Sequence, residues 1–171
     1  MKSESLSIHK IEAEDCKIIS QAFAKQGWNN KPVEQYQKYL RFQEEGSRDI
    51  IIAKVNNKFA GYLTIQWKSN YPPFQEKNIP EVVDFNVLKK HQRKGIGSAL
   101  MQEAEDRIKK VSPYAGIGFG VTKDYGAAQI LYIKRNYIPD GNGLCRNAKS
   151  LDYGEQVVID DDLVFHLTKK L

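Results

Sequence analysis

The stretch KKHQRKGIGSAL, Lys89 to Leu100, places Lys89, Lys90, His91, Arg93 and Lys94 immediately around the approach to Gly95 and Gly97. Ile96, Leu100, Ala104 and Ile108 follow at four-residue spacing, which predicts a helix packed along one side. The start of such a helix presents N–H groups that have no intrahelical acceptor and carries partial positive charge. Gly95 and Gly97 have no Cβ, so an outside group can come close to the backbone. With Arg93 and Lys94 beside it, a turn of this kind suits an anion, phosphate above all. A glycine-rich helix start beside a solvated basic face has the same composition, and the turn alone leaves both readings open. It is neither a G-x-x-x-x-G-K-[ST] phosphate loop nor a G-x-G-x-x-G dinucleotide turn, whose third glycine position, residue 100, is Leu.

A second group of residues lies downstream. In AGIGFGV, Gly116, Gly118 and Gly120 alternate with Ile117, Phe119 and Val121. At a strand's period of two, one face is bare and the other apolar. Three glycines on one face fit either room for a bound molecule or tight packing by another part of the chain.

The elements that must hold these residues can be read from periodicity. Leu6 and Ile8 alternate with Ser7 and His9, a first strand. Ile18, Ile19, Ala22 and Phe23 have helical spacing, and Gly27 ends that helix. Pro32 suits the first turn of a second helix, with Val33, Tyr36, Tyr39, Leu40 and Gln43 on one side and Gly46 as its stop. DIIIAKV and FAGYLTIQW read as two strands joined by a tight turn at NNK. SNYPPFQEKNIP reads as a proline-punctuated loop, and EVVDFNVL as a fourth strand. The glycine turn then opens a helix to about Lys110. YAGIGFGV is a fifth strand, AAQILYIKRN a helix and DDLVFHLT a late strand. This is a mixed α/β order in a single domain spanning 1–171, with a strand–turn–helix unit at its middle.

The wording around the glycines is [QR]-x-x-G-x-[GA], met by Gln92, Gly95 and Gly97 after a strand ending FNVL. This resembles the acetyl-coenzyme A signature of the GCN5-related N-acetyltransferase (GNAT) superfamily. That family also carries N-x-x-A-x-x-L-Y-x-x-x-G-F. YGAAQILYIKRNY matches it at Ala128, Leu131 and Tyr132, and departs from it at Tyr125, Asn136 and Tyr137. The resemblance covers nearly the whole chain. It implies a GNAT-type domain: a central, mixed but mostly antiparallel twisted sheet, flanked by helices and splayed between strands 4 and 5.

The resemblance also implies a cofactor and a reaction. Acetyl-coenzyme A would be the acyl donor, with no metal. Its pyrophosphate would lie on the N–H groups of Arg93, Lys94, Gly95, Ile96, Gly97 and Ser98, next to Gln92. Its pantetheine amides would pair with the strand edge at Phe85, Asn86 and Val87, as an added strand does. Tyr125 stands at the family's cofactor-side Asn. Tyr132 stands where the family commonly has a general acid for the leaving thiolate. Deprotonating an acceptor ammonium needs a base. Glu81, eleven residues before Gln92, resembles the glutamate of the histone acetyltransferase branch, and Asp84 lies on the same strand, as a second base candidate or an anchor for the ammonium. Another branch's base position falls on Gly120, which cannot serve. Trp28, Trp67, Tyr71 and Phe74 either line an acceptor pocket or belong to the core. His9 and His166 read as structural, and Asp160 to Asp162 as a solvated turn.

Composition limits the alternatives. The chain has 171 residues, 41% apolar and 27% charged, which is a globular profile. A net charge of +5 and a pI near 9.1 favour an anionic partner without naming one. Cys16 and Cys145 make neither a disulfide framework nor a metal site. MKSESLSIHK has no apolar core of a signal peptide, and IIIA is too short for a membrane span, so a reducing cytoplasm is expected. The basic residues gather in one anion-sized loop rather than over a broad face with aromatic platforms, which disfavours nucleic acid. The expected activity is acetyl transfer to a primary amine, a small molecule rather than a protein lysine, by a monomer or homodimer. The rival is a non-catalytic acyl-coenzyme A-binding module.

Overall fold

The computed structural model describes residues 5–171; the first four residues of MKSESLSIHK lie outside the described residues. Two compact units can be distinguished. One holds the chain up to Trp67 together with Val83–Asp106, and the other holds Lys68–Val82 with Arg107–Leu171.

The first unit contains β1 (Leu6–Lys10), α1 (Ala13–Lys25), α2 (Val33–Glu44), β2 (Arg48–Val55) and β3 (Lys58–Gln66). It also takes β4 (Glu81–Val87) from Val83 onward and α4 (Ile96–Ile108) as far as Asp106. Its strands are ordered β1-β2-β3-β4, with β1/β2 and β2/β3 antiparallel. The turn between β2 and β3 is made by Asn56 and Asn57, at φ 48° and 61°. Two successive positive φ values are what a two-residue hairpin needs to match strand twist, and Asn tolerates them. The helical faces read from the sequence are the buried ones except at Ile18, which is 43% exposed. Ile19 and Phe23 of α1 and Tyr36 of α2 form one core with Ile50, Ile52, Phe59, Tyr62 and Leu88. Trp28 stacks on Phe23, with centroids 5.6 Å apart and planes 3° from parallel. Trp67 Nε1 donates to Asp49 Oδ1. Both tryptophans therefore serve packing and anchoring here. The α4 stripe of Ile96, Leu100, Ala104 and Ile108 is buried as the spacing requires.

The second unit contains α3 (Pro72–Glu76), the first residues of β4, β5 (Tyr114–Gly120), α5 (Gly126–Lys134), β6 (Ile138–Arg146), β7 (Lys149–Ser150) and β8 (Leu163–Lys170). Its order is β4-β5-β8-β6-β7. β5 and β8 run antiparallel from Tyr114↔Lys170 to Gly120↔Val164. β4 and β5 pair in parallel at Glu81↔Gly116 and Val82↔Ile117, a ladder two pairs long. Two expectations are corrected, and one strand is added. The proline-rich stretch read as a loop contains α3, because Pro72 and Pro73 fall in a first turn where a missing N–H costs nothing. Phe74 and Gln75 both donate to Tyr71 O, and Phe74 is buried. IPDGNGLCR, which carries no strand pattern, forms β6 against β8, with its register interrupted between Pro139 and Leu144. Asp160 is more than a solvated turn: it takes a two-pronged ion pair from Arg146, at 2.7 and 2.6 Å. Among the described residues, no helix is long and apolar enough to cross a membrane.

Candidate functional site

The glycine turn is built as its sequence requires. Arg93 has φ 60° and Gly95 φ 81°, so the backbone alternates through the left-handed region before α4 begins. A Cβ added at Gly95 would meet nothing within 4 Å, which leaves the backbone approachable there. Gln92, Arg93, Lys94, Gly95 and Ser98 are exposed, whereas Ile96 is buried and fixes the helix start. The first α-helical bond of α4 runs from Ala99 N–H to Gly95 O, so the N–H groups of Ile96, Gly97 and Ser98 precede it. An exposed basic turn with this backbone suits an anionic group. Gln92 belongs to this turn, and its side chain also reaches the end of β4. Its Nε2 donates to Val87 O at 3.1 Å and ties the turn to the end of β4. Phe85, Asn86 and Val87 are half-buried. β3 comes so near this segment that a Cβ on Gly61 would lie 2.7 Å from Asn86 O. Glycine at 61 is therefore a requirement of that approach.

Asp84 lies in the first unit at φ 48°, a conformation that costs a non-glycine residue about 1–3 kcal/mol. Five donors surround its carboxylate. Tyr62 and Tyr39 hydroxyls donate to Oδ2 at 2.6 and 2.8 Å, and Gln35 Nε2 at 3.0 Å. Lys31 Nζ and Asn86 Nδ2 donate to Oδ1 at 2.9 and 2.8 Å. Burial alone would push the carboxyl up, but Lys31 and the tyrosine hydroxyls outweigh it and hold it below the ordinary range. The same burial raises the Tyr62 and Tyr39 hydroxyls, which stay protonated donors. Asp84 therefore already holds the ammonium of Lys31, and its donors favour the ionised carboxylate.

Glu81 lies in the second unit and is 7% exposed. Ser69 Oγ donates to its Oε2 at 2.5 Å, and Tyr71 N–H donates to Ser69 Oγ at 2.9 Å. His166 Nε2 is 3.9 Å from Glu81 Oε1. The imidazole lies flat on the Tyr71 ring, centroids 3.6 Å apart and planes 2° from parallel. Burial pushes His166 down to about 4 against the opposing pull of Asp140, so it is neutral at pH 7. Tyr71 Oη donates to Asp140 Oδ2 at 2.8 Å. Tyr71 and Phe74 are buried parts of this cluster, and Phe74 also lines a cavity with Pro73, Lys77, Ile79 and Asp140.

The glycine face of β5 is covered by the chain itself. A Cβ at Gly116 would strike the Phe74 ring, one at Gly118 would meet Val164 and His166, and one at Gly120 would lie 2.5 Å from Tyr125 Cε2. The open-room reading of these glycines is thereby replaced by the packing one. Tyr125 fills the Gly120 position and donates from Oη to Asp161 Oδ1 at 3.2 Å. Tyr132 is 4% exposed, with the Phe119 and Tyr137 rings at 6.2 Å. Burial, with a smaller contribution from Tyr125, raises its hydroxyl, which stays protonated at neutral pH.

The structure brings Asp84 and Asn86 together, and Gln92 to Val87, within the first unit. It places Glu81, Tyr125 and Tyr132 in the second. Sequence reasoning missed Lys31, Gln35, Tyr39 and Tyr62 around Asp84, and Ser69 and His166 beside Glu81. Their separations along the chain, such as 53 residues for Lys31 and Asp84, leave no local signal. Among the described residues, no group of three or more His, Cys, Asp or Glu is placed to hold a metal ion.

Comparison with known proteins agrees with this architecture. An N-acetyltransferase from Staphylococcus aureus Mu50 superposes with a TM-score of 0.71 at 16% identity, covering 97% of this chain and 98% of that one. The Salmonella typhimurium protein yncA, solved with its cofactor acetyl-CoA, gives 0.68 at 14% identity, covering 96% and 93%. A spermidine N-acetyltransferase SpeG chimera from Vibrio cholerae and hSSAT gives 0.69 at 12%, covering 96% and 95%. At these identities the likeness is one of fold. No curated protein matches the chain. The sequence pattern of the acetyltransferase (GNAT) family, whose members use acetyl-CoA, matches residues 8–137, and on that match the chain belongs to the family.

Proposed function

We propose that residues 1–171 act as one acetyltransferase domain that moves an acetyl group from acetyl-CoA to the primary amine of a small molecule. The observation that carries this reading is the exposed Gln92–Ser98 turn feeding α4 inside the segment that matches the family. Arg93, Lys94, Gly95, Ile96, Gly97 and Ser98 would hold the pyrophosphate, and Phe85, Asn86 and Val87 the pantetheine arm; Tyr125, at the family's cofactor-side position, is a further cofactor-binding candidate. Gln92 supports the turn through Val87 O. When bound, acetyl-CoA supplies an activated acetyl group on a thioester. Glu81 is the favoured base: its carboxylate would take a proton from the acceptor's ammonium, freeing the lone pair for direct attack. Tyr132 Oη would give a proton to the departing thiolate. Asp84 would shape the first unit rather than move a proton. The protein would work in the cytoplasm, as a monomer or a homodimer, without nucleic acid or a membrane.

The test is binding followed by turnover. Calorimetry with coenzyme A should give binding by the parent and severe weakening by Gly97→Asp, which sets a carboxylate where the pyrophosphate belongs. Thiol release from acetyl-CoA across a panel of polyamines, amino acids, aminoglycosides and lysine peptides then identifies the acceptor. No coenzyme A binding by the folded parent overturns the reading. Binding without thiol release for any amine leaves an acyl-CoA-binding module, a reading that the deep burial of Tyr132 favours.

A further inference from the structure

We propose that His166 is a positioning residue for Glu81: a neutral imidazole with its proton on Nε2, held against the Tyr71 ring so that its N–H dipole favours the ionised carboxylate. This deepens the reading of Glu81 as the base and rests on it.

Three observations lead there. First, the imidazole cannot turn freely. It is stacked on Tyr71 at 3.6 Å, meets the Phe74 ring edge-on at 5.5 Å, and fills the space left by Gly118, where a Cβ would come within 3.2 Å of Nε2. Second, Nε2 is the nitrogen near the carboxylate, 3.9 Å from Glu81 Oε1. That is longer than a hydrogen bond, so the contact acts as a dipole on a charge, which a poorly solvated interior strengthens. Third, Nδ1 is buried and has no hydrogen-bond partner among the described residues. A proton there would be a buried donor left unsatisfied, whereas a bare lone pair costs less. The proton therefore belongs on Nε2.

The groups around the ring are few. Glu81 faces it from β4, Tyr71 and Phe74 from the α3 segment, Gly118 from β5 and Val164 from β8 itself. Asp140 of β6 acts on it from the far side of Tyr71, whose hydroxyl it accepts, and Cys145 Sγ lies 3.6 Å from that hydroxyl. Its burial keeps the ring uncharged at working pH. Its N–H dipole can then face a carboxylate without neutralising it, and Ser69 Oγ donates to the other oxygen at 2.5 Å.

The decisive experiment reads the Glu81 carboxyl directly. In protein labelled with 13C at the glutamate carboxyl, the Glu81 signal, assigned with Glu81→Gln, is followed against pH. His166→Phe should move its midpoint upward by about 0.5–1 pH unit, the scale of one lost donor to an anion. His166→Gln, which restores an N–H, should bring it back most of the way. An unchanged or lowered midpoint in His166→Phe overturns the proposal. Should His166→Phe not fold, long-range 1H–15N spectra of the parent decide. A single Nε2–H tautomer from about pH 5.5 to 8 supports the assignment, and an Nδ1–H or doubly protonated ring there overturns it. Failure of the base reading shows elsewhere, as unreduced turnover in Glu81→Gln, and removes the catalytic meaning of a midpoint shift while the shift itself is still observed.

Discussion

Lys31 Nζ stands 2.9 Å from Asp84 Oδ1, and both side chains are more than four-fifths buried. A buried pair of this kind is costly to break from one side, because the partner left behind is an uncompensated charge. Lys31→Met should therefore destabilise the protein by about 3–5 kcal/mol, and Asp84→Asn by a similar amount, in urea unfolding. The double variant should lose much less than the sum. Folding lowers the pKa of Asp84, so its contribution is complete above about pH 4 and is lost as pH falls through the folded value. Asp84→Asn should flatten the stability curve in that acid range.

Gly116 and Phe74 make a complementary case. Gly116→Ala should cost about 1–3 kcal/mol, because a methyl group has to displace a buried ring. Phe74→Leu alone opens a cavity, yet combined with Gly116→Ala it should recover part of that loss. Thermal unfolding of the three variants checks this; additive costs would mean the two positions do not share the space.

His166 gives stability a second pH window. Its folded value, about 4, lies below the ordinary 6.5. The unfolded chain then binds a proton that the folded chain refuses, so stability falls as pH drops from about 6.5 towards 4, by up to about 3 kcal/mol. His166→Phe should lack that decline. Urea midpoints taken between those two pH values, in parent and variant, measure the difference.

Tyr132→Phe keeps the buried ring and removes one oxygen. Coenzyme A affinity should change little, and turnover should drop about ten- to ten-thousand-fold if the hydroxyl protonates the leaving thiolate. Turnover at the parental level with an unaltered pH profile would make Tyr132 a packing residue and leave the proton to water.

The sequence was most readable where local rules decide the structure. Asn56 and Asn57 declared their turn, the four-residue apolar spacing declared α4, and the glycine turn declared both its backbone and the family. It was least readable where a distant side chain decides. Nothing near Gly116 or Gly118 announces Phe74 or His166 as the groups that need the space. Asp84 looked available because all its partners but Asn86 come from α2, β3 and the segment before α2. β6 hid behind Pro139, Gly141 and Gly143, since its pairing is dictated by β8 and not by its own pattern. Glu81 and Tyr132 stood out through the resemblance alone, and Ser69 and His166 had no motif to mark them.

The pairing pattern also sets an order of assembly. β2 and β3 are joined across Val55↔Lys58, so this hairpin closes a very short loop. β5 meets β8 at Gly120↔Val164, after the chain has passed through α5, β6 and β7. Closing the longer loop costs more entropy before any contact repays it. The β2–β3 hairpin should therefore gain amide protection first in pulse-labelled refolding, and β5 with β8 last. Glu81 and His166, which depend on that late closure for their encounter, would be among the final groups to reach their places.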